Sequence, residues 1–266
     1  MTDALYVPDA GGFVPSEHTR GPWDPRAQHG GAPAALLGRA IELLPAEVPM
    51  QVARVTVDLL RPVPIAPLRI VARVVRPGRR VQLCQAEASA GDDVVCRATA
   101  WRIRVADLTV PVAEMAAAMI GTPSTAEPFV PESDQPALHR TGMEIRFSRG
   151  AFETPGDATA WFRLRYPVVA GETPSPLQRV LAAADFGNGI SSAFEFLTHL
   201  YVNTDLTVHL HRLPAGEWVC LDAQTSAEPT GIGLAQSTLY DERGALGRSL
   251  QSLLIDALPG RTPYGA

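Results

Sequence analysis

The stretch "QHGGAPAALLGRAIELL", Gln28 to Leu44, decides how the rest of the chain is read. Between Ala32 and Leu44 only Arg39 and Glu42 carry charge, so the spacing predicts a helix covered on most of its faces rather than one lying on a surface. Two glycines directly before it need a reason, because glycine lowers helix propensity. One reading makes His29 and Gly30 a plain helix cap. The other makes the helix mouth a place for developing negative charge, since free N–H groups and the positive end of the helix dipole meet there. The stretch alone leaves both open.

Bulk properties narrow the classes. The chain has 266 residues, 46% of them hydrophobic, which is ample for a buried core in one large or two smaller units. A formal charge of -5 without any basic run argues against a nucleic-acid partner. All 23 basic residues are arginine, so Schiff-base and Walker A chemistry, which need lysine, are excluded. The start "MTDALYVPDAGG" has no signal-peptide character and no later run has the length of a membrane span, which predicts a cytoplasmic protein. Cys84, Cys96 and Cys220 are odd in number and widely spaced, and are expected to be core side chains rather than disulfide or metal ligands.

The Pro-, Ser-, Thr- and acid-rich segment from 107 to 140 predicts a linker between an N-terminal unit, 1–106, and a C-terminal unit, 141–266. Both units read as short strands, an apolar helix and four further strands. Laying "VTVDLLRP" from Val55 over "LTVHLHRL" from Leu206 exposes an internal repeat. Thr56, Val57, Leu59 and Arg61 meet Thr207, Val208, Leu210 and Arg212, and the same offset matches Ala72 with Ala223, Leu83 with Leu234, Gln85 with Gln236 and Arg97 with Arg248. Divergent duplication accounts for a register kept over four strands better than coincidence does. The predicted class is α+β, with antiparallel sheets curled around helices.

With "HGGAPAALL", "LLRP", "ADFGNG", "NTDLTVHLHR" and "LYDERGALGRSLQS" in this order, the chain resembles the double-hotdog acyl-CoA thioesterases, the bacterial thioesterase II family. The resemblance implies a tandem hotdog fold, two antiparallel sheets each wrapped around a central helix. It implies an acyl-CoA substrate, no cofactor and no metal, and a family that often forms larger homo-oligomers. In single hotdog thioesterases the HGG helix also carries a carboxylate about two turns on. Here the first copy keeps His29, Gly30 and Gly31 but has Gly38 and Arg39 at that point, while the second has Asp185 and opens its helix with Ser175 and Pro176. One complete site between the copies is therefore expected.

In that site the resemblance makes Asp185, Asn203 and Gln251 the residues that hold and activate water, gives Gly30 or Gly31 the amide that polarises the thioester carbonyl, and makes His29 a substrate-binding residue. Gln251 falls opposite Ala100 in the repeat register, so a polar residue stands in one copy only. Asn203 stands where the family has Thr, although Thr204 is adjacent, and a one-residue slip in a strand reverses the side chain's face unless a bulge intervenes. A second reading, motivated by that Asn, is a hotdog module that binds an acyl ligand without turnover. A hydratase is a lesser rival, since it pairs an Asp with a His near the helix start. His209 and His211, on one face with Asp205, read as alternation in a half-buried strand, not as metal ligands. No G-x-S-x-G elbow occurs, and "GNGISS" only partly matches a dinucleotide fingerprint.

Overall fold

The computed structural model describes residues 3–110, 120–195 and 198–258. The first copy comprises β1 (Tyr6–Asp9), β2 (Gly12–Pro15), α1 (Gly31–Glu42), β3 (Met50–Leu59), β4 (Arg69–Arg76), β5 (Val81–Ala90) and β6 (Asp93–Arg104). The second comprises β7 (Glu127–Pro128), β8 (Met143–Ala151), β9 (Thr154–Leu164), α2 (Pro176–Ala184), the single-turn α3 (Gly187–Ile190), β10 (His199–Asn203), β11 (Asp205–Leu210), β12 (Val219–Ala227), β13 (Ile232–Asp241) and β14 (Gly244–Ala257).

The repeat is visible in the topology. Strand order β4-β5-β6-β3 in the first copy matches β12-β13-β14-β11 in the second, and β9, β8 and β7 continue the sheet beyond β12. The expectation of two separate sheets is corrected: β3 and β11 pair antiparallel and fuse the halves into one sheet. Each strand would otherwise leave a row of backbone donors and acceptors open, and pairing them removes two edges at once. Thr56 and Thr207, equivalent in the repeat, face one another at this seam, where the Thr207 hydroxyl donates to that of Thr56 at 3.1 Å. A local two-fold axis therefore runs between them.

The helices lie inside the curl as an antiparallel pair: Gly31 approaches Ala182, while Glu42 reaches Ser175. As the sequence predicts, α1 is covered on most faces, with Leu36, Leu37 and Ile41 fully buried, each worth about 2 kcal/mol of transfer free energy. The sheet makes room for it with small side chains. Alternation along β5 and β6 turns Cys84, Ala86, Ala88, Cys96, Ala98 and Ala100 inward, so the helix settles close to the strands. Ser175 caps α2, accepting from the Gln178 N–H at 3.1 Å, with Pro176 in the first turn. Glycines at 31 and 38 let the helices touch, because a Cβ at Gly31 would lie 2.5 Å from the Ala182 carbonyl oxygen and one at Gly38 2.4 Å from Leu181. The three cysteines are free and buried.

The segment expected as a linker is partly structural. Glu127–Pro128 pairs with β8, Phe129 donates its N–H to the Ile145 carbonyl, and Ala137 and Leu138 are buried in a π-type turn, Leu138–Gly142, that crosses the expected boundary at 140. Apolar residues at 126, 129, 137 and 138, diluted among Pro, Ser and acid, draw this stretch onto the second copy. Residues 111–119 of the expected linker lie outside the described residues.

Candidate active site

The chain reaches α1 along a fixed path. The Glu17–Thr19 turn presents its carbonyls, Thr19 accepting from the His29 N–H at 2.7 Å, while Gln28 is held by the Tyr6 hydroxyl, the Val63 carbonyl and the Pro64 carbonyl. His29 is thereby set at the mouth of α1 with its ring stacked on Phe186, centroids 4.2 Å apart.

Across the helix pair, Asp185 ends α2 and is 4% exposed. The antiparallel packing brings this end of α2 to the start of α1, so His29 Nδ1 lies 2.8 Å from Asp185 Oδ2. Asn203 Nδ2 donates to Oδ1 at 2.8 Å, and Gln251 Nε2 lies 3.3 Å from the same oxygen and 3.2 Å from the Asp185 carbonyl. An ionised carboxyl has about four acceptor positions. With His29 Nδ1 protonated, His29, Asn203 and Gln251 use three, which leaves one.

Each expected residue can now be placed. Asp185, Asn203, His29 and Gly30 meet on the wall of one cavity of about 480 Å³. Gln251 joins them at Asp185 but is 1% exposed and off the cavity wall, where its Oε1 accepts from the Asn188 N–H at 3.0 Å. Its contacts run to the acid and to α3. Gly31 is also off that wall: its N–H points at His29 Nδ1, 3.2 Å away, and the space a side chain would take is filled by Ala182. With a proton on Nδ1 the ring donates to Asp185, and without it Nδ1 accepts from the Gly31 N–H, so the two contacts alternate on one nitrogen. A Cβ at Gly30 would lie 2.8 Å from Asp185 Oδ2. The two glycines thus answer to different neighbours, Gly31 to the second helix and Gly30 to the acid and the cavity.

The choice of Asn203 over Thr204 turns on a bulge. Asn203 faces Leu253 on β14 whereas Thr207 faces Leu250, four residues against three, with the irregular step at Thr204 between β10 and β11. The bulge turns Asn203 toward Asp185 and leaves Thr204 exposed, its hydroxyl 3.4 Å from the Ser252 carbonyl.

One residue beside the site was missed by sequence reasoning. Ser237 lies under α3 with Gln251, and a Cβ at Gly187 would meet both at under 3 Å. The repeat register held the signal: Ser237, Ser249 and Gln251 stand where the first copy has Ala86, Ala98 and Ala100, and all six are buried. Polar residues were kept on the inner face of one copy only. At the opposite end of the helix pair the twin position is closed. Ser175 donates to Glu42 Oε2 at 2.6 Å, burial pushes the Glu42 carboxyl up with the serine bond opposing, and Arg39 clamps Glu172. Among the described residues no cluster of His, Cys, Asp and Glu could hold a metal ion, and no helix is long and apolar enough to cross a membrane.

The rest of the cavity is mainly apolar, walled by Trp23, Leu59, Val63, Phe129, Phe152 and Tyr201. Two family models match in tandem, an acyl-CoA thioesterase N-terminal domain over residues 19–103 and an acyl-CoA thioesterase C-terminal domain over residues 120–255. The chain belongs to the acyl-CoA thioesterase family. Solved structures agree on the fold. A conserved protein of unknown function with a hotdog fold from Alicyclobacillus acidocaldarius superposes with a TM-score of 0.76 at 18% identity, covering 96% of this chain and 97% of the other. An acyl-CoA thioesterase II from Mycobacterium marinum superposes with a TM-score of 0.64 at 16% identity, covering 89% and 92%. No curated protein sequence matches. The Asp–His pairing absent from either copy by itself is made between the copies.

Proposed function

We infer that the chain hydrolyses an acyl-CoA thioester to the free acid and CoA, with water held at Asp185 and the carbonyl polarised at the mouth of α1. The observation that carries this reading is the carboxylate itself: buried, gripped by His29, Asn203 and Gln251, with one acceptor position left beside an apolar cavity. A water on that position donates one hydrogen to Asp185, and Asn203, on the same wall, steadies it. Its oxygen attacks the carbonyl carbon while its proton passes to Asp185. The carbonyl oxygen gains charge and is met by the Gly30 N–H, a contribution of about 3 kcal/mol for a preorganised donor. Collapse breaks the C–S bond, and the CoA thiolate leaves with the proton taken from Asp185. Gln251 and His29 act through the acid by fixing its orientation, and Gly31 spaces the helices. The free, buried cysteines fit a reducing, cytoplasmic setting.

The deciding experiment is thiol release from acyl-CoA substrates of graded chain length by the full chain and by Asp185→Ala. Release that largely disappears in the variant supports hydrolysis. Tight binding with no release at any length would overturn it in favour of a non-catalytic acyl-binding module. Because the His29–Asp185 contact also suits a hydratase, the panel includes a 2-enoyl-CoA. Loss of enoyl absorbance without thiol release would replace the thioesterase reading.

A further inference from the structure

His139 lines the same cavity as Asp185, yet the arrangement above gives it nothing to do. It stands in the π-type turn Leu138–Gly142, a geometry that recurs at functional sites. The turn is tied down without using the His139 ring. Leu138 donates its N–H to the Arg20 carbonyl at 3.0 Å, the Thr141 hydroxyl lies 2.7 Å from His18 Nδ1, and the Gly142 carbonyl accepts from the Arg165 N–H. Thr19 and Arg20 are consecutive: one carbonyl holds the His29 backbone, the other the turn that bears His139. One short segment therefore hangs both imidazoles on the cavity.

The ring is underused. His139 Nδ1 is buried and has no hydrogen-bond partner. A buried N–H without an acceptor is the costlier state, so the proton belongs on Nε2, the nitrogen through which a cavity-lining ring can meet a ligand. Burial, with smaller contributions from His29 and Arg140, pushes His139 down to about 4, so near neutral pH it is an uncharged donor. Its neighbours are aromatic, Phe152 lying 6.5 Å from it and 4.8 Å from Phe129. A plain alkyl chain against this wall leaves Nε2–H without an acceptor, whereas an acyl oxygen supplies one. Charges of both signs line the cavity, Asp24, Glu132 and Glu153 against Arg61 and Arg140, so the three acids outnumber the two guanidinium groups and the balance weighs toward a neutral oxygen over a carboxylate.

Resting on the thioesterase reading, we propose that His139 is a specificity-determining residue, its Nε2–H selecting acyl groups that carry a neutral hydroxyl or oxo oxygen over plain alkyl chains. The test compares kcat/KM for hexanoyl-CoA, 3-hydroxyhexanoyl-CoA and 3-oxohexanoyl-CoA in the full chain, in His139→Phe and in His139→Gln, with thermal melts to verify folding. At least one oxygenated substrate is expected to be preferred about tenfold, the preference falling to within twofold in His139→Phe and largely surviving in His139→Gln, which keeps a donor. A wild-type ratio near one, a ratio unchanged in His139→Phe, or an equal fall on all three substrates overturns the proposal. The last outcome would make His139 a donor to the thioester carbonyl itself. Calorimetric binding of non-hydrolysable ketone analogues of the same acyl groups reads the preference without turnover. If no thioester is cleaved yet the oxygenated analogues bind about tenfold tighter, the hydrolase reading fails and the selectivity stands. Equal binding of plain and oxygenated analogues sinks the selectivity.

Discussion

His29 Nδ1 and Asp185 Oδ2 lie 2.8 Å apart, and this contact is where the two copies become one site. The histidine comes from the mouth of the first helix and the acid from the end of the second, so neither copy contains the pair. Asp185→Asn tests it with almost no change in volume. The new amide either turns its NH2 toward His29 Nδ1, a donor against a donor, or toward Asn203 and Gln251, which also donate. Thiol release is expected to fall at least about 100-fold, within the range for losing a general base, while the melting transition remains cooperative. A variant retaining more than a tenth of the rate would remove Asp185 from the chemistry.

Gly30→Ala and Gly31→Ala should fail in different ways, although the residues are adjacent. At Gly30 the added methyl sits 2.8 Å from Asp185 Oδ2 and must displace the acid, so activity should drop at least about tenfold with only a small loss of stability. At Gly31 the methyl sits 2.5 Å from the backbone oxygen of Ala182, which cannot swing away. Overpacking of this kind costs about 1–3 kcal/mol and exceeds the roughly 1 kcal/mol of helix propensity that alanine can add. Urea midpoints beside kcat separate the cases, and equal effects at both positions would show the two glycines to be interchangeable.

How much of this was legible follows from where each signal resides. The α1 helix and its burial were readable because charge is confined to Arg39 and Glu42. The repeat was readable because strands tolerate no shift of register, and its offset alone sets Gln251 against Ala100 and Thr56 against Thr207. Continuity of the sheet was not, since hydrophobic alternation reports which face is buried and is silent about which edge is paired. His139 was hidden by composition: a segment full of Pro, Ser and acid reads as linker, and a few apolar anchors suffice to fold it against the cavity. Gly30 and Gly31 stood as equal candidates for the donor because a close helix contact and a donor site leave the same mark in a sequence.

Asn203 replaces the family threonine and can be weighed directly. Its Nδ2 group bridges two acceptors, Asp185 Oδ1 at 2.8 Å and the Asp205 carbonyl at 3.1 Å, the second spanning the bulge. Asn203→Leu takes this donor from the Asp205 carbonyl and leaves Asp185 Oδ1 with only the longer Gln251 contact, and should lower kcat about tenfold or more. Asn203→Thr restores a single hydroxyl donor, which cannot serve both acceptors, so its rate should fall between wild type and the leucine variant. A leucine variant as active as wild type would mean that Asn203 does no more than close the strand irregularity.

His139 also gives the fold a pH dependence whose sign can be worked out. Its folded value is about 4 against an ordinary 6.5, lowered chiefly by burial. Between those values the unfolded chain binds a proton that the folded chain refuses, so stability rises with pH across this window: the contribution is complete above about 6.5 and is lost as pH falls toward 4. At pH 5 the loss relative to neutral pH should be at most about 2 kcal/mol, a shift of several degrees in melting temperature for a chain of this size. Glu42, pushed up by burial, has the opposite sign, and His18, lowered by burial, has the same sign, so the absolute curve mixes several groups. Subtraction isolates the one of interest. The difference in melting temperature between wild type and His139→Phe, measured at pH 7.5 and at pH 5, should move in favour of the phenylalanine variant at the lower pH, and a difference independent of pH would mean that the His139 ring accepts a proton as readily in the folded chain as in the unfolded one.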